Sequence, residues 1–249
     1  MNDNKLIKSN QRVKAHGQVF TPVEIVDFMV EQPEIDEELN SLTATFFEPA
    51  AGEGAFLTEL LKRKMQVAMR QSKSKKQYDE NVLLALMSLY GVELLQDNVE
   101  MLVMNMIITF KSIYEQTMAS VFSEKPTNAV LQSAKTIIMA NMVQGNTLTK
   151  LNDKGEALLF SEWQLIQPSR KDGIRRVQRS EYTLDSILAD GGPSDSVEPT
   201  SQPIEFDLFA GVFEDEVAQE AESDKVVLLQ YVPSKITEVY KEETYEVEP

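Results

Sequence analysis

The sequence predicts an α/β fold in which helices cover a parallel sheet, and three observations carry that prediction. Helix-like and strand-like periodicities alternate through residues 1–150. A glycine-bearing turn in "FFEPAAGEGAFL" (46–57) joins a short β-rich run to an amphipathic stretch. The next strand-like run, "LYGVEL", again ends beside an acid, Glu93. Strands separated by helices need crossover connections, and such connections leave the strands parallel and buried.

Taken in order, "PVEIVDFMVE" (22–31) opens with a proline suited to a helical first turn. It repeats apolar residues at Val23, Val26 and Val30, with Phe28 and Met29 beside them. "TATFF" reads as a short strand ending in the glycine turn. Residues 55–70 place Phe56, Leu57, Leu60, Leu61 and Met65 on one broad helical face. "QSKSKKQYDE" reads as a polar surface connection. "VLLALMSLYGVEL" begins as helix and ends as strand, and "QDNVEMLVMNMIITFKSIY" resumes helical spacing. After a polar break at Pro126, residues 128–141 read as helix and "MVQGNTL" as a strand closing in a turn. Beyond residue 150 the patterns weaken. "ALLFSEWQLI", "EFDLFAGVF" and "KVVLLQYV" read as strands, separated by a basic cluster and by a linker, "ADGGPSDSVEPTSQP". The cluster of Arg170, Lys171, Arg175, Arg176 and Arg179 reads as a solvated basic loop pairing with the acidic tail. The expected organisation is one domain over 1–150 and an acidic, partly irregular region over 151–249, with a flexible break about 190–203.

Composition narrows the chemistry. At 249 residues, 42% hydrophobic and 26% charged, the chain has the make-up of a globular protein. No apolar run reaches the length of a membrane span and "MNDNKLIKSN" lacks a signal-peptide core, so a cytoplasmic location is expected. With no cysteine and His16 as the single histidine, neither a zinc site nor a Ser-His-Asp triad is expected. The net charge of −16 is uneven. Residues 1–150 carry 15 Lys+Arg against 18 Asp+Glu, a net of −3, and residues 151–249 carry 9 against 22, a net of −13. The second part therefore repels nucleic-acid phosphates.

The glycine turn is the most informative local feature. Gly52 and Gly54 follow a strand and precede a helix, where a residue without Cβ can take positive φ and admit a ligand against the main chain. Such turns serve nucleotide-like ligands at the carboxyl ends of parallel strands. Glu48 and Glu93 fall at the ends of adjacent strands, and an acid in the second position can accept hydrogen bonds from ribose hydroxyls. Glu48 and Glu53 would repel a phosphate, and no Walker lysine is present. The pattern suits a sugar joined to a positive group.

"GQVFTP" (17–22), "FFEPAAGEGAFL" (46–57), "LYGVELLQDNV" (89–99) and "MVQGNTL" (142–148) resemble, in order and spacing, the S-adenosylmethionine-binding half of adenine-N6 DNA methyltransferases. The likeness is greatest to modification subunits and fused restriction enzymes, and it covers about residues 12–150. It implies a class I, Rossmann-like methyltransferase core, apparently truncated. It also implies that Gln18, Phe20, Thr21 and Pro22 lie against the cofactor, and that Glu48 and Gly52 hold and make room for the methionine amino group. On the same basis Ala50 and Gly54 shape the turn, Glu93 binds the ribose, and Asn146 takes the place of an Asp that contacts the adenine amino group.

The chain departs from the family in one respect that bears on activity. The family's Asp/Asn-Pro-Pro-aromatic loop holds and stacks the flipped base, yet this sequence contains no Pro-Pro pair. In "EFDLFAGVFED", Phe206 to Gly211 resemble the strand leading into that loop, but Val212, Phe213, Glu214 and Asp215 stand in the loop's place. The expectation is a cofactor-binding protein inactive by itself or completed by a partner chain. Its DNA contact would then come through that partner, and a restriction-modification protein is the partner the resemblance implies. Two alternatives are an active enzyme with a divergent loop and an acidic DNA mimic that occupies a DNA-binding protein.

Overall fold

A computed structural model describes residues 21–166, 173–188 and 228–247. Its first part is a three-stranded parallel sheet in the order β1 (Phe46–Glu48), β2 (Leu89–Glu93), β3 (Met142–Gln144). Phe46 pairs with Leu89 and Glu48 with Gly91, while Gly91 pairs with Met142 and Glu93 with Gln144. β2 and β3 therefore end level, β1 ends two residues earlier opposite Gly91, and the residues that follow the three strands form one rim. The expected parallel, helix-connected sheet is present.

Helices α1 (Val23–Val30) and α2 (Pro33–Leu39) precede β1. Helices α3 (Ala55–Arg70) and α4 (Lys75–Leu86) connect β1 to β2, and α5 (Gln96–Thr117) and α6 (Asn128–Asn141) connect β2 to β3. On α3 the expected face is buried at Leu57, Leu60, Leu61 and Met65, and Phe56 is half-buried at its edge. It meets Leu102, Met106 and Phe110 of α5, and Ile137 and Ile138 of α6, in one core. Tyr114, near the end of α5, donates to Asp79 of α4 at 2.6 Å and ties the two helices at that point.

Two elements differ from the sequence reading. The stretch 71–80 is not wholly a surface connection, because α4 starts inside it at Lys75. Ser74 caps that start by accepting from the Gln77 N–H, and Tyr78 and Asp79 are buried. Residues 33–39 form a helix with Pro33 at its first position and Glu34 and Asp36 in its first turn.

Lys64 lies on the buried face of α3 and is fully inaccessible. Its Nζ donates to the carbonyls of Ser41 (3.0 Å), Leu42 (3.4 Å) and Ala44 (2.8 Å) and to Ser88 Oγ (2.7 Å). It also sits 5.1 Å from the centre of the Phe46 ring. Burial pushes this ammonium down to about 8, while four surrounding acceptors favour the charged form, so the side chain is protonated at neutral pH.

After β3, a hairpin of β4 (Leu159–Ile166) and β5 (Arg176–Thr183) is joined by β7 (Ser234–Lys235), and β6 (Leu228–Tyr231) pairs with β8 (Thr244–Val247). The expected strands in "ALLFSEWQLI" and "KVVLLQYV" are thus present. Among the described residues the remaining helical pieces are a π-helical segment continuing α5, Met118–Phe122, the short α7 (Leu184–Leu188) and a 3-10 turn, Ile236–Lys241. "EFDLFAGVF" and the 190–203 linker lie outside the described residues. These later strands pack on the first part: Trp163 donates to Asn141 at 2.9 Å, and Ile236 and Val239 enter the main core.

The basic cluster is corrected in part. Arg176 and Arg179 stand on strand β5 and are not loop residues, while Arg175 lies in the connection just before it; Arg170 and Lys171 lie outside the described residues. Arg175 contacts Glu80 and Asn81 of α4. Arg179 bonds Ser161, Glu181 and Glu242 and stacks 4.3 Å from the Tyr231 ring centre. The pairing with acids that the sequence suggested holds, but inside a folded sheet.

Lys64→Met is expected to lower unfolding free energy by about 2–4 kcal/mol, because the buried acceptors lose their donor. Urea unfolding at neutral pH measures it, and an unchanged midpoint would contradict the role given to Lys64.

Candidate functional site

The sheet rim gathers Glu48, Ala50, Gly52, Gly54, Glu93 and Asn146 beyond the carboxyl ends of β1, β2 and β3. Leaving β1, the chain turns sharply through Pro49–Gly54. The Ala51 N–H bonds the Val92 carbonyl at 2.9 Å, and the Gly54 N–H bonds the Ala51 carbonyl at 2.9 Å. The turn is thereby docked on β2 before α3 begins.

The two glycines do different things. Gly54 has φ +88°, and a Cβ there would come 2.5 Å from Leu102 Cδ1 in the core. Gly52 has φ +55°, and a Cβ there would meet nothing within 4 Å. Gly54 is therefore required by packing, while Gly52 faces open space.

Glu93 ties the turn to the second strand. One carboxylate oxygen, Oε2, accepts from the Gly52 N–H at 2.9 Å. The other, Oε1, accepts from the Leu95 N–H at 3.0 Å and from Asn98 Nδ2 at 3.0 Å. The same residue's carbonyl accepts from the Gly145 N–H at 2.9 Å, which brings the end of β3 into the assembly. Thr147 Oγ1 closes the rim by donating to the Pro49 carbonyl at 2.7 Å.

The other predicted residues are placed as follows. Glu48 folds over its own turn, with Oε1 accepting from the Ala50 N–H at 3.2 Å; both residues flank the rim, and Ala50 is exposed. Asn146 stands at the end of β3, but its Oδ1 accepts from the N–H groups of Leu148 (2.9 Å) and Thr149 (3.3 Å). That oxygen caps a turn. Thr21 and Pro22 lead into α1, where the Pro22 carbonyl accepts from Ile25 and Val26. No hydrogen bond among the described residues joins them to the Gly52 turn. Gln18 and Phe20 lie outside the described residues.

Sequence reasoning missed three residues here. Asn98 is buried and bonded to the Glu93 carboxylate; its only signal was a polar residue on the inner side of a helix start. Leu94, directly after β2, and Leu148, in the turn beyond β3, are 48% and 93% exposed. Exposed leucines next to buried strands give a rim an apolar lining, and the signal was their adjacency to Glu93 and Asn146.

The architecture is that of an α/β protein whose candidate site crowns a parallel sheet. Residues 5–162, more than half of the chain, match the family model described as N-6 DNA Methylase. The chain belongs to the N-6 DNA methylase family, whose members generally use S-adenosylmethionine. No curated protein and no solved structure matches it. None of the described helices is long and apolar enough to cross a membrane, and no cluster of metal-ligating side chains occurs among the described residues.

The different surroundings of the two glycines give a paired expectation. Gly52→Ala should cost about 1 kcal/mol of stability, from its backbone angle alone. Gly54→Ala should cost about 2–4 kcal/mol, because the angle and the contact with Leu102 add. Thermal melts of the two variants compare them, and equal losses would contradict the division of roles.

Proposed function

We propose that this protein binds S-adenosylmethionine at the rim of β1–β3, within a class I methyltransferase core, and does not methylate DNA by itself. The observation that carries the reading is the Glu93 carboxylate, held against the N–H of Gly52, where among the described residues a Cβ would meet nothing within 4 Å. An acid on one strand and a bare turn on the next make a cradle for a ribose and its 5′ substituent. Glu48 and Glu53 lie along the same turn, and a sulfonium and an ammonium are favoured there where a phosphate is repelled. Leu94 and Leu148 supply apolar surface for a purine.

In this reading Glu93 accepts from the ribose, Glu48 and Gly52 receive the methionine end, and Ala50 and Gly54 keep the turn in shape. Asn146 acts on the adenine side through its turn more than through its oxygen, which is already engaged. Gln18, Phe20, Thr21 and Pro22 keep the role implied by the resemblance, a cover over the cofactor. The methyl donor would reach a base only with a second component, because the chain lacks a Pro-Pro loop to hold an adenine amino group. That component is a partner chain that contacts DNA, as in restriction-modification assemblies. Residues 1–150 would form the cofactor unit, with the net charge of −13 over residues 151–249 facing protein and not DNA.

Isothermal titration of the full chain with S-adenosylmethionine tests the binding step. Glu93→Ala is expected to weaken it by about 1.5–3 kcal/mol, the range for hydrogen bonds to a charged group; an unchanged affinity would overturn the ribose contact. Purified protein incubated with methyl-labelled cofactor and mixed DNA should give no label transfer. Transfer at saturating cofactor would establish an active enzyme with a divergent loop.

A further inference from the structure

We infer that Asn98 is a positioning residue for the cofactor site, one that fixes the plane and direction in which the Glu93 carboxylate faces the ribose. The inference rests on the binding reading above and adds a residue to it. Asn98 lies in the first turn of α5 and is 1% exposed, so it cannot touch a ligand at the rim. Its Nδ2 donates to Glu93 Oε1 at 3.0 Å, and the Leu95 N–H donates to the same oxygen at 3.0 Å. A carboxylate oxygen presents about two lone-pair directions, so Oε1 is filled by these two donors. Among the described residues Oε2 receives only the Gly52 N–H, which leaves a direction for an incoming hydroxyl.

The carboxylate is thereby prevented from rotating. Without Asn98, the terminal torsion of a glutamate is broad, and the group is free to turn Oε1 toward the rim or to leave Gly52. The two donors on Oε1 come from the start of one helix, and the donor on Oε2 comes from the turn before another. A ligand hydroxyl that meets Oε2 finds an acceptor already aimed, which reduces the ordering cost of binding. The consequence is specific: Asn98 matters to ligands that bear ribose hydroxyls and is indifferent to ligands that lack them.

The test compares wild-type protein with Asn98→Leu, an apolar substitution of similar volume that removes the side-chain donor to Oε1. Titrations use S-adenosylhomocysteine and its 2′,3′-dideoxy analogue. Asn98→Leu should lose about tenfold or more in affinity for S-adenosylhomocysteine, as for a hydrogen bond to a charged group. It should leave the weaker affinity for the dideoxy analogue unchanged. Equal affinity of variant and wild type for S-adenosylhomocysteine would overturn the positioning role and leave the binding reading intact. Equal losses for both ligands would also overturn it, since they would mark a purely structural residue. Should Asn98→Leu not fold, Asn98→Ser, whose hydroxyl is too short to span to Oε1, is read in the same way. Absence of binding by wild-type protein would overturn the binding reading itself, and the positioning role with it.

Discussion

A single carboxylate holds the rim together. Glu93 extends from the end of β2 and collects three donors, from the glycine turn after β1, from the backbone at the start of α5, and from Asn98 one turn further along. Hydrogen bonds to an ionised acceptor contribute on the order of 1.5–3 kcal/mol each, well above neutral pairs. Their effect here is geometric as much as energetic. The turn lacks side chains at Gly52 and Gly54, and a turn so free in conformation needs an external tether to take up one shape.

A second charged group does the corresponding work at the opposite end of the sheet. Lys64 gathers the carbonyls of Ser41, Leu42 and Ala44, which lead into β1, and the hydroxyl of Ser88, which leads into β2. β1 is only three residues long, too short to fix its own register through ladder bonds. Lys64 pins where β1 and β2 begin, and Glu93 pins how the turn beyond β1 meets the end of β2. Between these two pegs, the pairing of Phe46 with Leu89 and of Glu48 with Gly91 has little room to slip.

Much of this plan was legible in the sequence, because it is written in local patterns. The alternation of periodicities gave the parallel sheet, the paired glycines gave the turn, and an acid at each strand end gave the rim. What was not legible depends on distant partners. Lys64 reads as an ordinary helix lysine until the carbonyls twenty residues earlier are seen to converge on it. The start of α4 was hidden because Lys75, Lys76 and Gln77 look like a surface connection, while the burial of Tyr78 and Asp79 is set by α5. Arg175, Arg176 and Arg179 read as a loop because nothing local announces that Trp163 and Tyr231 flank Arg179. Asn98 was passed over for the same reason, since a single amide becomes meaningful only beside the carboxylate it orients.

Membership of the N-6 DNA methylase family gives the rim a context, and the rim's chemistry gives the family reading its physical content. In the proposed reading an acid, a bare turn and two exposed leucines receive a nucleoside with a cationic substituent, and the absence of a Pro-Pro pair leaves the base to a partner. The most direct measurement is a crystal structure of the full chain with S-adenosylhomocysteine. The account requires a ribose hydroxyl within hydrogen-bonding distance of Glu93 Oε2 and ligand atoms packed against the main chain of Gly52. Ligand bound away from both residues, or a rim filled by protein where the nucleoside should lie, would contradict it.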